Sequence, residues 1–135
     1  MQEHPNVALF RQAYAAFAAG DLAWLGAHLA EDVVWHSPGH GPASGEFTGK
    51  AEVLRYFARL SQATGGTLRL VVHDVVGNDR HVVGIVYFSA EGPDGETFEA
   101  RAVNVFHVDK DKANEVWVFN ENQDRADVFF MKLPW

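Results

Sequence analysis

The chain has 135 residues, a hydrophobic fraction of 47% and a charged fraction of 21%, which is typical of a globular protein with one substantial core. Its formal charge of −7 argues against nucleic acid as a partner, because binding phosphates requires a clustered positive surface. The absence of cysteine excludes disulfides, thiolate nucleophiles and cysteine-ligated metal sites.

No targeting, repeat or linker pattern is visible along the chain. The first ten residues lack the basic start and the continuous apolar run of a signal peptide. No segment reaches the roughly 18 uninterrupted apolar residues of a membrane-spanning helix. We therefore expect one domain over residues 1–135, a cytoplasmic location and no membrane partner.

Helical periodicity dominates the first part of the chain. A helix is predicted over residues 6–19, because apolar side chains recur there every three or four positions: Val7, Phe10, Tyr14 and Phe17. Gly20 ends this helix and Asp21 caps a second one. That second helix is predicted to carry three leucines on one side: Leu22, Leu25 and Leu29. A third helix is predicted from Lys50 to about Ala63.

A strand and a long loop separate the second and third predicted helices. The β-branched and aromatic residues Val33–His36 predict a short strand. Residues Ser37–Gly49 hold two prolines and four glycines, which predicts a single loop. Loops of this length in compact domains commonly serve as lids or binding loops.

The second half of the chain is rich in β-forming residues. Turn-like sequences separate four predicted strands: Thr67–Val76, Val82–Ala90, Phe98–Val108 and Glu115–Phe119. Three helices followed by antiparallel strands predict an α+β domain with helices packed on one face of a curved sheet.

Alternation along the third of these strands shows that both of its faces are largely apolar. One face carries Ala102, Asn104, Phe106 and Val108, and the other carries Arg101, Val103, Val105 and His107. Helices can cover one face, so either a dimer partner or an enclosed ligand cavity has to meet the other. In the neighbouring strand, Gly84 removes a side chain where a cavity would need room.

A resemblance to the NTF2-like superfamily, which includes ketosteroid isomerase, begins at AYAAFAAGDL (residues 13–22). Three further segments resemble the SnoaL-like, polyketide cyclase-like branch of that superfamily: WHSPG at 35–39, GEFTGK at 45–50 and EVW at 115–117. Gln123 and Asp127 continue this resemblance. The resemblance implies a cone-shaped α+β fold, with three N-terminal helices packed on a strongly curved, mainly antiparallel sheet. It also implies an apolar pocket inside the cone and a homodimer formed through the outer face of the sheet.

The catalytic groups of ketosteroid isomerase are not retained. That enzyme uses an aspartate base, together with a tyrosine and a protonated aspartic acid that donate to the enolate oxygen. The resemblance aligns these groups with Ser37, Ala13 and Asn104, respectively. Tyr14 lies one position further along and projects about 100° away around the helix, so we do not expect it to substitute.

Two residues are candidates for catalysis. His36 can act as an acid or base, since the unperturbed pKa of imidazole lies close to neutrality. Asn104 can donate to a ligand carbonyl from the pocket face of its strand. The alternatives are that His36 holds the adjacent loop or lies on the outer face, which alternation with Trp35 and Ser37 favours, and that Asn104 bonds a neighbouring backbone group.

Apolar and aromatic side chains are predicted to line the pocket, and ordinary core packing is the alternative for each. With Ser37, the predicted pocket residues are Trp35, Phe57, Val86, Phe106, Trp117 and Phe119. No metal site is expected: His36 and His40 are four positions apart but not on a helix, and the remaining histidines lack ligand spacing. We expect no cofactor.

Three functional hypotheses follow. The first is cofactor-free isomerisation, cyclisation or dehydration of an apolar small molecule, polyketide-like or steroid-like, that carries a carbonyl group. The second is a non-catalytic dimeric protein that binds such a molecule. The third is an association module that uses the outer face of the sheet. An enzyme requires a titratable group in the pocket, whereas a binder does not.

Overall fold

The computed structural model describes residues 2–135, which form four helices and one six-stranded sheet. The elements in chain order are α1 Pro5–Ala19, α2 Leu22–Ala27, β1 Leu29–Ser37, β2 Gly45–Thr48, α3 Lys50–Ala63, β3 Arg69–Gly77, β4 His81–Glu91, β5 Thr97–Asp109, β6 Lys112–Asn120 and α4 Gln123–Met131.

The curved sheet has the strand order β2-β1-β6-β5-β4-β3. Helix α3 carries the chain from β2 at one edge to β3 at the other, and the antiparallel meander β3–β6 returns it to the side of β1. The returning strand β6 runs parallel to β1, while β2 pairs antiparallel with β1. The α+β class is therefore confirmed, although the sheet is mixed and a fourth helix follows it.

Helix α1 follows the sequence-based prediction closely, because its signals are local. The side chain of His4 accepts a hydrogen bond from the backbone N–H of Asn6, and Pro5 occupies the first turn, where its missing N–H costs nothing. Gly20 ends the helix in the left-handed conformation, with φ of 69°. The buried side includes Phe10, whose ring centroid lies 4.5 Å from that of Phe106 in β5.

The second helix is shorter than the spacing of its leucines predicts. Helix α2 ends at Ala27, and Leu29 begins β1 instead of completing the helical face. The backbone N–H of Ala113 donates to the carbonyl of His28, and Leu29 pairs with Ala113 in β6. Pairing with a strand more than eighty residues away therefore overrides the helical spacing of the leucines.

The predicted loop from Ser37 to Gly49 is also wrong in part. Residues Gly45–Thr48 form β2, which pairs antiparallel with β1 and leaves a loop of residues 38–44. The Phe47 ring stacks on the Tyr56 ring of α3, with centroids 4.1 Å apart. Packing against α3 thus stabilises a strand within a segment whose glycines favour a loop.

Helix α4 is an element that the sequence patterns did not predict. Its N-cap is Asn122, whose side chain accepts from the N–H of Arg125. Phe129 is buried and stacks on Phe98 of β5, with ring centroids 4.8 Å apart. Among residues 2–135, no helix combines the length and hydropathy needed to cross a bilayer.

Candidate functional site

A cavity of about 180 Å³ is bounded by the inner face of the sheet, all four helices and the loop of residues 38–44. Its volume is comparable with the roughly 150 Å³ of an apolar cavity that accommodates benzene. Most of the wall is apolar, and aromatic rings contribute from α1, α3, α4 and three strands: Phe17, Trp35, Phe57, Phe88, Phe106 and Phe130 among others.

One row of residues crosses the floor of this cavity. Gly84 of β4 pairs with Asn104 of β5, and Asn104 pairs with Val118 of β6. Strands β1 and β6 are parallel, and His36 pairs with Trp117. The next residues along the two strands, Ser37 and Val118, are therefore also neighbours, which places Ser37 in the same row. With neighbouring strands about 4.8 Å apart, Asn104 and Ser37 stand roughly 10 Å from each other on either side of Val118.

Tyr14 and Asn104 form a hydrogen-bonded pair at one end of the row. The Tyr14 hydroxyl donates to Oδ1 of Asn104 over 2.6 Å, and both side chains line the cavity. Tyr14 therefore points into the cavity and contacts Asn104, although the sequence had not led us to expect a role for it there. The rotation of α1 is fixed by burial of its apolar side, and Tyr14 lies one helical turn beyond the buried Phe10.

This pair presents hydrogen-bond donors to the cavity. Burial raises the pKa of the Tyr14 hydroxyl above its ordinary value, so the group keeps its proton at neutral pH. The Asn104 amide oxygen is occupied by Tyr14, and the amide nitrogen has no acceptor among residues 2–135. In the described part of the chain, every fully buried polar side-chain atom has a hydrogen-bond partner. Since Nδ2 of Asn104 has no partner, it is not fully buried and keeps some accessible surface.

Ser37 and Tyr56 form a second polar cluster at the other end of the row. The Ser37 hydroxyl donates to the Ala43 carbonyl over 2.7 Å, and the Tyr56 hydroxyl donates to the same oxygen over 3.0 Å. Burial raises the pKa of Tyr56 above its ordinary value, so this hydroxyl also stays neutral. Each hydroxyl has one proton, so the remaining capacity of Ser37 Oγ is to accept.

The third polar cluster joins α4 to the loop of residues 38–44. Asp127 accepts from the His40 backbone N–H over 3.0 Å and from Gln123 Nε2 over 2.8 Å. Gln123 Nε2 also donates to the Pro38 carbonyl over 3.2 Å. Among residues 2–135, Asp127 is the single acidic side chain on the cavity wall. Its position was not predicted, because nothing local in the sequence shows that the loop and α4 meet.

His36 lies on the opposite face of the sheet from the cavity. Its Nε2 is 2.7 Å from Oε2 of Glu115, and its ring stacks on Trp117 with centroids 5.2 Å apart. Trp35 and Ser37, its neighbours in β1, line the cavity instead, as strand alternation requires. The geometry therefore places the first acid–base candidate outside the site.

Five of the seven predicted pocket residues lie on the cavity wall: Trp35, Ser37, Phe57, Val86 and Phe106. Trp117 and Phe119 do not, and Phe119 is 56% exposed. The inward-facing residues of β6 are Val116, Val118 and Asn120, so the two aromatic residues project outward.

One histidine does line the cavity. His28 Nδ1 lies 2.8 Å from the Trp24 carbonyl; a carbonyl only accepts, so Nδ1 carries the proton and Nε2 can accept. However, His28 adjoins the end of β6 near Ala113, five residues before Val118. That separation is about 16 Å along a strand, so His28 is remote from the Asn104 row.

Comparison with known proteins identifies the family. Residues 10–116 match the SnoaL-like domain. An uncharacterised protein of Mycobacterium tuberculosis is 32% identical over 101 residues, which cover 75% of this chain and 77% of that protein. The chain belongs to the SnoaL-like family, and the resemblance noted in the sequence is confirmed.

Solved structures share the fold. Bal32a, from a soil-derived mobile gene cassette, superposes with a TM-score of 0.88 at 28% identity, covering 93% of this chain and 95% of that one. IdmH, a putative polyketide cyclase from Streptomyces antibioticus, gives a TM-score of 0.76 at 21% identity over 93% and 99% of the two chains. At such identity the second likeness is one of fold.

Proposed function

We propose that the protein binds an apolar carbonyl compound in the cavity, with the carbonyl oxygen accepting from Nδ2 of Asn104. The hydrogen bond from Tyr14 to Oδ1 of Asn104 carries this proposal. Nδ2 is then the part of the amide that has no partner among residues 2–135, and a carbonyl is the matching acceptor for its N–H groups. The aromatic wall favours a flat ligand of one or two rings, held mainly by burial of its apolar surface. The fold shared with a putative polyketide cyclase supports a ring-containing ketone.

Replacing Asn104 with Leu, which has nearly the same shape, is expected to remove the preference for a carbonyl. The ligands 1-tetralone and tetralin share a bicyclic skeleton and differ only in the carbonyl group. The unsubstituted protein is expected to bind 1-tetralone about three- to tenfold more tightly than tetralin, because one neutral hydrogen bond contributes about 0.5–1.5 kcal/mol. The Asn104 variant is expected to bind the two ligands equally. Titration calorimetry of both ligands with both proteins measures the difference. Equal affinities for the two ligands in the unsubstituted protein would contradict the proposal.

We also propose that the site catalyses proton transfer at the carbon next to the bound carbonyl, with Asp127 as the base. The position of Asp127 on the cavity wall supports this role, for which the sequence had suggested His36. The carboxylate would take the α-proton, and the resulting enolate oxygen would accept from Asn104. Isomerisation, cyclisation and dehydration without a cofactor all begin or end with such a transfer. Without it, the protein is a non-catalytic binder.

Substituting Asp127 with Asn is expected to slow deuterium exchange at the α-carbon of 1-tetralone about 100-fold, since general bases typically contribute about 10²–10⁴ in rate. Nuclear magnetic resonance in deuterated water follows the exchange directly. His36→Gln is the matched control, because His36 lies on the outer face and its removal is expected to leave the rate unchanged. Exchange at an undiminished rate in the Asp127 variant would exclude this residue as the base.

A homodimer formed through the outer face of the sheet is part of the same proposal. Phe119 is 56% exposed there and Tyr87 is 39% exposed. Burial of aromatic side chains of this size against a second copy would stabilise the pair by the hydrophobic effect.

A further inference from the structure

We infer that the preferred ligand is a hydroxy-carbonyl compound, bound with its carbonyl at Asn104 and a hydroxyl group donating to Ser37. This inference rests on the proposed function and adds a second, chemically distinct contact to it. The Ser37 end of the cavity floor offers a hydrogen-bond acceptor, and the Asn104 end offers donors. This difference determines that the ligand carries a hydroxyl group as well as a carbonyl group, and which of the two lies at each end.

The Ser37 end of the floor offers an acceptor. Both hydroxyl protons of this cluster are directed at one backbone oxygen, that of Ala43, at 2.7 Å from Ser37 and 3.0 Å from Tyr56. Tyr56 is 6% exposed, whereas Ser37 is half-buried and lines the cavity. Ser37 Oγ also lies 3.2 Å from the Tyr56 hydroxyl oxygen. Because a hydroxyl oxygen has two lone pairs, Ser37 Oγ keeps at least one for a ligand hydroxyl, and its single proton is already directed at Ala43.

The Asn104 end has the opposite character. Its amide oxygen already accepts from Tyr14, so the group that has no partner among residues 2–135 is the donor Nδ2. A ketone at the Ser37 end would meet a hydroxyl whose proton is directed at the Ala43 carbonyl, whereas at the Asn104 end it meets the unpartnered N–H groups of Nδ2. A ligand with one acceptor end and one donor end satisfies both positions in a single orientation.

The distance between the ends specifies the skeleton. Asn104 and Ser37 lie in the same row across the sheet, separated by the strand that carries Val118. Two strand spacings give about 10 Å between their backbones. The span between them is apolar, so the two oxygen atoms of the ligand should stand at opposite ends of a rigid, flat hydrocarbon such as a fused bicycle.

Three related ligands test the inference: 1-tetralone, 6-hydroxy-1-tetralone and 6-methoxy-1-tetralone. Affinities are measured by titration calorimetry at about pH 6, where a phenol is protonated. The hydroxyl compound is expected to bind about three- to tenfold more tightly than 1-tetralone. The methoxy compound, which can no longer donate, is expected to lose that gain.

Ser37→Ala is expected to abolish the gain from the hydroxyl group while keeping the affinity for 1-tetralone, which shows that the variant is folded. Ser44→Ala is the matched control. Ser44 also lines the cavity, but its hydroxyl donates to the Pro38 carbonyl over 2.7 Å and accepts from the Gly41 N–H over 3.2 Å. Its removal is therefore expected to leave the gain intact.

The outcomes separate the two proposals. If the protein prefers 1-tetralone to tetralin but gains nothing from the hydroxyl, or if the gain survives in the Ser37 variant, the inference is overturned and the proposed carbonyl site stands. If 1-tetralone and tetralin bind equally, the proposed function fails, and the inference fails with it.

Discussion

Gly84→Ala is expected to lower the affinity for 1-tetralone at least about tenfold and to destabilise the fold by about 1–3 kcal/mol, the range typical of overpacked cores. A Cβ atom at Gly84 would overlap the Tyr14 hydroxyl and lie 2.6 Å and 2.7 Å from two ring carbons of Tyr14. Cβ atoms in proteins do not approach other atoms so closely, so the ring must move. Movement of the ring breaks its hydrogen bond to Asn104, which then no longer has its amide oxygen occupied.

A second substitution shows whether the Tyr14 hydroxyl is the cause. Tyr14→Phe removes the nearest atom that the new methyl group would meet. The double variant that combines Gly84→Ala with Tyr14→Phe is therefore expected to be less destabilised than the sum of the two single variants. Urea denaturation measures the three free energies of unfolding. Strict additivity, or an unchanged affinity in Gly84→Ala alone, would contradict the close packing of Gly84 against Tyr14.

Gly39→Ala is expected to detach the loop of residues 38–44 from α4. Gly39 has a φ of +102°, where side chains other than hydrogen are strained by about 1–3 kcal/mol. Its Cβ would also overlap Asp127 Oδ1 and Gln123 Nε2, which hold the loop, and would lie 2.8 Å from Ser44 Oγ. Hydrogen exchange at the His40 amide, which donates to Asp127, is expected to accelerate at least about tenfold.

Gly41→Ala provides the control in the same loop. Gly41 does not have a positive φ, and the atom nearest to the position of an added methyl group is the backbone oxygen of Asp127 at 3.5 Å, which is ordinary contact. Protection of the His40 amide is expected to persist in this variant. Equal exchange in the Gly39 and Gly41 variants would show that the contacts of Gly39 do not hold the loop.

The position of Asp127 bears on the choice between an enzyme and a binder. Its carboxyl group is bonded both to the loop and to Gln123, so substitution affects loop attachment as well as any proton transfer. Comparison with Gly39→Ala separates these effects. If deuterium exchange at the α-carbon of 1-tetralone is lost in Asp127→Asn but retained in Gly39→Ala, the Asp127 carboxylate itself is responsible for the proton transfer.

Local sequence signals predicted those elements whose ends and faces depend on near neighbours. Helix α3 begins and ends at the predicted residues, Lys50 and Ala63, and α1 differs by one residue at its start. Alternation placed Asn104 on the inner face of β5 and separated His36 from Ser37, as the cavity wall shows. The family was visible too, because its motifs are short and contiguous.

Other features depend on contacts between distant parts of the chain. Leu29 joins β1 because Ala113 pairs with it, and Trp117 turns outward because the register of β6 with β5 places Val116 and Val118 inward. The pattern of apolar residues in one segment indicates which residues share a face, but it does not indicate which face packs against the core.

The sequence by itself therefore determined the α+β class, the family and the polar residues available to a site. The tertiary structure decided which of those residues meet. Tyr14 and Asn104 are 90 positions apart, and Pro38 and Gln123 are 85 positions apart. Such contacts depend on the rotation of α1 and on the docking of α4. Both are set by side-chain packing across the whole core, since a helix buries whichever side fits the neighbouring surface best.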